Sequence, residues 1–296
     1  MNSPADLTLL HGDLRFRAIA AGEGPLVLLL HGFPDNADTW NAQLPALAAS
    51  GYRAVAVQIR GYQPSSQPAD GDYSLAACAG DVLAVLDQLG AERAHLVGHD
   101  WGAAIAYTAG AAAPQRFRSL VTLAVPHSGR FTSEMISHPR QMRLSWYMFY
   151  FQLRGVAEWN LQRRDFGFLR RLWRDWSPGW EFSESDLAGV IDTFREPGVV
   201  PAALAYYRAA LGLRSLPVSP GARRDLQFQV PVPTLALTGA DDGCIDSDVF
   251  QQMMCPEDFP AGLAVSTLPA AGHFLHRESP QAVNELIVNW LTRHPD

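Results

Sequence analysis

Short apolar runs alternate with helical patterns along the first third of the chain. Leu26–Leu30 and Ala54–Ile59 are apolar runs, which are typical of strands in a sheet that is buried on both faces. Between Ser74 and Leu89 apolar residues recur at helical spacing, with Ser74 placed to cap this helix and Gly90 placed to end it. This alternation indicates a parallel sheet with helical crossovers.

The same patterns predict the rest of the scaffold. Two apolar segments on either side of a Gly12-Asp13 turn predict an opening hairpin. The predicted strands and terminal helix are Leu7–Leu10, Leu14–Ala20, Leu26–Leu30, Ala54–Ile59, Ala94–Gly98, Leu120–Val125, Pro233–Thr238, Ala264–Leu268 and the helix Pro280–Thr292. The fold class is therefore α/β, with a mostly parallel central sheet flanked by helices.

The stretch from residue 128 to residue 220 differs from its surroundings. It holds 16 of the 30 aromatic residues, and its 12 arginines against 9 acidic residues give +3, whereas the rest of the chain carries −10. We interpret residues 128–220 as an inserted helical cap and residues 1–127 and 221–296 as the core. Most of these aromatic side chains are expected in the core of the cap, but aromatic walls above a sheet also form apolar pockets.

Composition excludes several classes of chemistry. All 23 basic residues are arginines, so Schiff-base catalysis, a pyridoxal-phosphate anchor and a P-loop lysine are excluded. The net charge of −7 gives no basic surface for nucleic acid or an anionic membrane. The first residues, MNSPADLTLL, do not resemble a signal peptide, and no apolar run is long enough to span a bilayer. We expect a cytoplasmic protein without membrane insertion.

The three cysteines are few and widely spaced. Cys78, Cys244 and Cys255 are therefore interpreted as reduced thiols rather than as a disulfide framework. Cys244 lies in a loop of interest, and we interpret it as a small buried or loop residue.

The segment AHLVGHDWGAAIAY (Ala94–Tyr107) combines a strand, a sharp turn and a helix. Gly98 and Gly102 bracket the turn, and Asp100 is its central residue. In hydrolases with a serine at the centre of this turn, the nucleophilic hydroxyl occupies that place, but the chain contains no G-x-S-x-G. Asp100 is either a carboxylate nucleophile or a helix cap, and the local pattern favours the nucleophile.

Two further segments favour catalysis. HGFP (His31–Pro34) follows a predicted strand, where a loop amide can join the Trp101 amide in an oxyanion hole. Near the end of the chain one strand leads into GADD (Gly239–Asp242) and the next into AGHF (Ala271–Phe274). Nucleophile, acid and histidine in this chain order are typical of hydrolases with this turn.

These motifs together resemble those of the α/β-hydrolase-fold epoxide hydrolases. The resemblance extends from HGFP through Arg60–Tyr62 and GHDWG to GADD and the histidine of AGHF. It implies that Asp100 is the nucleophile, that Asp242 orients the base and that His273 is the base. The backbone amides of Phe33 and Trp101 would form the oxyanion hole. Asp241 and Asp246 are neighbouring alternatives to Asp242, which holds the matching fourth position of G-x-x-D.

The resemblance also implies two acids in the cap, because the alkoxide of an opening epoxide must be protonated. Tyr147 in SWYMFYFQLRGVAE and Tyr207 in AYYRA match the tyrosine motifs of the family. Tyr150 and Tyr206 are close enough to remain alternatives. With no lysine present and arginine too weak an acid, tyrosine is the fitting donor.

The expected reaction needs no cofactor and no metal. His276 lies three residues after His273, but no third metal ligand has suitable spacing. The expected partners are a small apolar epoxide and water, and a homodimer is left open. The alternatives are a haloalkane or haloacid dehalogenase with the same nucleophile, and a non-catalytic binding protein of the same fold.

Overall fold

The computed structural model describes residues 4–211 and 228–295. Its centre is an eight-stranded sheet with the order β1-β2-β4-β3-β5-β6-β7-β8. The strands are β1 Ala5–His11, β2 Leu14–Ala21, β3 Leu26–Leu30, β4 Arg53–Val57, β5 Ala94–His99, β6 Phe117–Leu123, β7 Thr234–Gly239 and β8 Leu263–Leu268. β1 and β2 pair antiparallel with each other, and β2 pairs antiparallel with β4. The other pairs are parallel, so the predicted fold class is confirmed.

Helices cover both faces of the sheet and its carboxyl end. They are α1 Gln43–Ala49, α2 Leu75–Gln88, α3 Trp101–Ala112, α4 Ser128–Glu134, α5 Pro139–Leu144, α6 Trp146–Tyr150, α7 Val156–Trp176, α8 Glu184–Arg195, α9 Val199–Leu211, α10 Ser247–Met253, α11 Leu275–Glu278 and α12 Pro280–Thr292. Residues 163–166 interrupt α7 with non-helical backbone angles. No helix in the described ranges is long and apolar enough to cross a membrane.

Alternation along the central strands divides the core between the two faces. Leu28 and Leu30 of β3 pack in the cluster that includes α2 and α3. Val27 and Leu29 pack in the cluster that includes α1 and α12. All five residues of β3 are buried because both faces of the sheet are covered.

Most strands begin or end within a few residues of their predicted bounds. The largest difference is in β6, which runs over Phe117–Leu123 instead of Leu120–Val125. It begins earlier because Phe117 already pairs with Ala94 of β5. It ends earlier because Ala124 has a φ of 65°, a left-handed conformation that does not continue a strand.

Helices α4 to α9 lie in the chain between β6 and β7, where the sequence predicts the cap. The predicted first residue of the cap is also the first residue of α4. Its predicted end at residue 220 lies outside the described residues. The hydrogen bonds that join these helices to the core include one from Trp173 Nε1 to Pro34 O over 3.0 Å and one from Tyr206 Oη to Arg60 O over 2.8 Å. The extent of the cap as a separate unit stays a prediction.

Candidate active site

Asp100 sits at the tip of a strained turn between β5 and α3. Its φ of 51° and ψ of −117° are costly for a residue with a side chain. A Cβ on Gly98 would lie 2.2 Å from Gly102 O, and a Cβ on Gly102 would lie 2.2 Å from Leu30 O. Only glycine fits at both positions, so close packing on either side holds the turn in place and presents the carboxylate.

The loop after β3 binds the Asp100 carboxylate directly. The Phe33 amide donates a hydrogen bond to Asp100 Oδ1 over 2.7 Å. The approach is so close that a Cβ on Gly32 would lie 2.4 Å from the same oxygen. Trp101 begins α3, and first-turn amides of a helix have no intrahelical acceptor. The Phe33 amide thus contacts the carboxylate, and the Trp101 amide follows Asp100 directly in the chain. Their role as an oxyanion hole stays a prediction.

His273 connects two carboxylates. Its Nδ1 donates to Asp242 Oδ2 over 2.9 Å, and its Nε2 lies 3.5 Å from Asp100 Oδ2. Asp242 Oδ1 accepts from the amides of Cys244 and Ile245 over 2.7 and 2.9 Å. These bonds fix Asp242, and Asp242 in turn fixes the tautomer that leaves Nε2 facing Asp100.

The neighbouring acids take other positions. Asp241 is exposed, whereas Asp246 is buried at the start of α10. Its Oδ1 accepts from the amides of Asp248 and Val249, and its Oδ2 pairs with Arg140 Nε at 2.8 Å. The structure thus places Asp242, and neither alternative, on the His273 ring.

Tyr147 of α6 and Tyr207 of α9 face Asp100 across a cavity that all three residues line. Their ring centroids are 5.7 Å apart. Tyr207 Oη has no hydrogen-bond partner among the described residues. Burial raises the pKa of both hydroxyls well above the ordinary value, so both keep their protons. The geometry supports the prediction that these two residues are the acids.

The alternative tyrosines do not line this cavity. Tyr150 is only partly buried, and its ring centroid lies 5.8 Å from that of Phe168 in a stacked arrangement. Tyr206 is buried beside Tyr207, but its hydroxyl already donates to the carbonyl oxygen of Arg60. Neither hydroxyl is therefore directed to the space in front of Asp100.

Two residues that the sequence did not assign to the site touch its functional groups. Cys244 is buried, as expected, and its Sγ lies 3.2 Å from Tyr147 Oη. The Trp176 ring centroid lies 5.0 Å from that of His273 and 4.9 Å from that of Tyr147. Cys244 stands two residues after Asp242, which is a local signal, whereas only the general aromatic density of the cap pointed to Trp176.

His276 does not pair with His273 but joins a buried group behind the site. Possible ligand atoms of His276, His99 and Asp35 lie within 4.8 Å of one another, although no sequence spacing indicated it. His276 Nε2 bonds Thr39 Oγ1 over 2.7 Å, and that hydroxyl donates to Asp35 over 2.6 Å. Hydrogen bonding to the protein thus accounts for part of this group, and the expectation of no metal stays a prediction.

Groups around His273 change the pKa of its ring. Burial acts to lower the pKa of His273, but Cys244 and the carboxylates of Asp242 and Asp100 outweigh burial and raise the pKa well above its ordinary value. Esterification of Asp100 would remove one of those charges. The pKa of His273 would then fall, which would prepare the ring to accept a proton.

Other histidines are buried in the neutral form, and we expect them to make the fold sensitive to acid. Burial lowers the pKa of His31 to about 4 and that of His95 and His99 to about 3, from 6.5. As pH falls below 6.5, the unfolded chain takes up these protons first, so stability is lost. At pH 5 each of these histidines should lower the free energy of unfolding by about 2 kcal/mol relative to pH 7.

Asp35 acts in the opposite direction, because burial raises its pKa to about 6 and its protonation favours the folded state as pH falls. The stabilisation from this one carboxyl group is smaller than the loss of stability from the three histidines. Urea denaturation at pH 7 and pH 5 measures the net effect. Equal free energies of unfolding at the two pH values would contradict the expected loss.

The sequence profile of the α/β hydrolase fold matches residues 25–280. The chain belongs to the α/β-hydrolase fold family. It is 32% identical over 286 residues to Epoxide hydrolase 3 of Xenopus tropicalis, covering 94% of this chain and 75% of that protein. Its identity to human Epoxide hydrolase 4 is also 32%, over 94% of this chain and 76% of the relative.

Solved structures of this family are similar along almost the whole chain. The Bacillus megaterium epoxide hydrolase in complex with an inhibitor superimposes with a TM-score of 0.84 at 26% identity, covering 97% of this chain and 100% of that one. The resemblance that the motifs suggested is thereby confirmed.

Proposed function

We propose that this protein is an epoxide hydrolase that converts an epoxide and water into a vicinal diol. The observation that carries the proposal is a carboxylate, Asp100, facing two buried tyrosine hydroxyls across one cavity. A carboxylate can attack a saturated carbon and form an ester. Opening an epoxide also requires a proton for the alkoxide that leaves the attacked carbon, and the tyrosines supply it.

The reaction would proceed in two steps. Asp100 attacks one epoxide carbon, the carbon–oxygen bond breaks, and Tyr147 or Tyr207 gives its proton to the new alkoxide. Water then attacks the ester carbonyl while His273 Nε2 takes a proton from it. The amides of Phe33 and Trp101 would stabilise the oxyanion. Breakdown restores the Asp100 carboxylate, releases the diol and returns a proton to the tyrosine.

The cavity favours an uncharged apolar substrate. Among the described residues that line it, Asp100 carries the only charge, and most of the others are aliphatic or aromatic. A haloacid would bring its own carboxylate next to Asp100 without a lining arginine to compensate, and burying an unpaired charge is costly. The haloacid alternative is therefore disfavoured, whereas an uncharged haloalkane would fit.

A parallel assay with styrene oxide and a haloalkane of similar size tests the proposal. We expect diol from the epoxide and no free halide from the haloalkane. Halide release without diol would identify a dehalogenase instead. Absence of both products, with the ligand retained in the cavity, would identify a binding protein. The Asp100→Asn variant is the matched control for background hydrolysis.

Two further expectations belong to this proposal. We propose a cytoplasmic location, which the three free cysteines support because reduced thiols suit that compartment. The homodimer stays one option for the oligomeric state.

A further inference from the structure

An apolar stripe lies on the outer surface of the cap hairpin formed by α6 and the start of α7. Its five side chains are 38 to 59% exposed, and we call them the cap stripe: Trp146, Phe149, Leu153, Val156 and Trp159. They are five of the eight large apolar side chains that are exposed in the described ranges, and they fall within 14 positions of the sequence. Such a concentration of exposed apolar surface marks an interaction site.

The stripe is the outer face of a well-packed element. Its members are spaced by three residues within each helix, with Trp146 and Phe149 in α6 and Val156 and Trp159 in α7, and Leu153 lies in the turn between the helices. Four of the residues between them, Tyr147, Met148, Phe151 and Ala157, are buried, whereas Arg154 and Gly155 in the turn are exposed. The hairpin therefore uses its inner face to complete the cavity and the core. At one end of the outer face the Trp146 ring lies 6.0 Å from the Phe168 ring and 5.7 Å from the Arg171 guanidinium, and the side chains of the stripe are still 38 to 59% exposed.

Arginines without an acidic partner surround the stripe. Arg154, Arg163 and Arg164 are exposed and make no ion pair in the described part of the chain, and the Arg163 guanidinium lies 4.3 Å from the centre of the Trp159 ring. Arginine beside tryptophan at an apolar surface is typical of segments that lie in the interface of a membrane.

The acidic residues of the hairpin and its surroundings are already paired. Glu158 pairs with Arg208, and Asp165 pairs with Arg170 and Arg195. Asp175 likewise pairs with Arg171. The local surface thus combines apolar side chains with uncompensated positive charge, although the whole chain is acidic.

This charge pattern distinguishes between two partners for the stripe, a second copy of the chain and an anionic lipid surface. A second copy docked on the stripe would bring the same unpaired arginines and no free carboxylate from the hairpin to receive them. An anionic lipid surface offers both a charge that attracts arginine and an interior that accepts tryptophan and leucine. We propose that the cap stripe docks this protein on an anionic lipid surface, which revises the expectation from the overall charge.

Docking would place lipid next to the helix that carries an active-site side chain. Tyr147 and Met148 of α6 line the cavity, while Trp146 and Phe149 of the same helix would contact the lipid. An apolar epoxide dissolved in the bilayer would then be one helix away from Asp100. This link to the substrate rests on the proposed function, whereas the docking does not.

Co-sedimentation with vesicles tests the docking. We expect the protein to bind vesicles of phosphatidylcholine mixed with phosphatidylserine more tightly than vesicles of phosphatidylcholine alone, with the difference lost at high salt. Replacing Arg154, Arg163 and Arg164 by glutamine should weaken binding about fivefold for each charge, or roughly a hundredfold together. The pair Leu153→Ser and Trp159→Ser should also weaken it.

Matched controls are available on the core. Arg15→Gln with Arg293→Gln removes exposed charges, and Leu10→Ser with Val265→Ser removes exposed apolar groups. These controls should leave vesicle binding unchanged. Diol formation from dissolved styrene oxide without vesicles should be equal in all variants, so failure of the docking and failure of the proposed function give different results.

Three outcomes would overturn the proposal. The first is equal sedimentation with both vesicle types, and the second is no sedimentation with either. The third is a concentration-dependent dimer that the stripe variants disrupt without any effect on vesicle binding. That last result, seen by analytical ultracentrifugation, would assign the stripe to a second copy of the chain.

Discussion

His273→Gln is expected to stop the reaction after the first step and to leave an ester on Asp100. Glutamine keeps a polar side chain beside Asp242 but cannot take a proton from water. Hydrolysis of the ester should slow by about a thousandfold or more, while attack by Asp100 does not need the base. Intact-protein mass spectrometry after mixing with styrene oxide should show the mass of one added substrate molecule.

The double variant Asp100→Asn, His273→Gln is the control, because it keeps the cavity but lacks the carboxylate. It should gain no mass. The covalent mechanism would be wrong if His273→Gln formed no adduct and Asp100→Asn still produced diol. Peptide mapping adds a second check, since the adduct should lie on the peptide that contains Asp100.

The electrostatics of the site are compatible with the two separate steps of the proposed mechanism. In the free protein the Asp100 carboxylate contributes to the raised pKa of His273, so a protonated ring is compatible with the attack. The ester is neutral, and its formation removes that contribution. In the proposed mechanism the pKa of His273 would therefore fall once the ester has formed, which would favour the action of the ring as a base in the second step.

The scaffold could be predicted because its strands have few alternatives. Apolar runs as short as Leu26–Leu30 are typical of central strands in a chain that alternates strands and helices. The observed bounds differ from the predicted ones because pairing, and not apolar content, decides where a strand begins and ends. Arg118 and Ser119 carry no apolar signal, yet they belong to β6 because β5 lies beside them.

The core half of the site could also be predicted, since each of its residues follows a strand. The carboxyl ends of parallel strands meet at one edge, so Asp100, Asp242 and His273 are brought together by topology. The cap half could not be placed in this way. In WYMFYF every side of the helix is apolar, so sequence periodicity does not distinguish Tyr147 from Tyr150.

Contacts between the cap and the core could not be predicted from the sequence for a similar reason. Trp176 packs on His273, and Cys244 meets Tyr147, although nearly a hundred residues separate the members of each pair. Such contacts depend on how α6 and α7 lie over the sheet. No local pattern encodes that arrangement, because it results from the packing of many aromatic side chains at once.

The double variant Tyr147→Phe, Tyr207→Phe is expected to abolish epoxide opening. Phenylalanine preserves the buried rings and their packing, so the change removes only two hydroxyls. Loss of a general acid typically costs between about a hundredfold and ten-thousandfold in rate, and here no lysine can replace it. Rapid mixing with styrene oxide should show that ester formation slows, because the alkoxide has no donor.

Two comparisons distinguish lost chemistry from lost structure. Tyr206→Phe removes a hydroxyl beside Tyr207, one that bonds Arg60 O, and should cost about 1 kcal/mol of stability with little effect on the rate. Each single change at Tyr147 or Tyr207 leaves one donor and should slow opening less than the double change. Full activity of the double variant would transfer the acid role elsewhere. A rate loss in Tyr206→Phe equal to that of Tyr207→Phe would instead mean that both tyrosines act through the packing of α9.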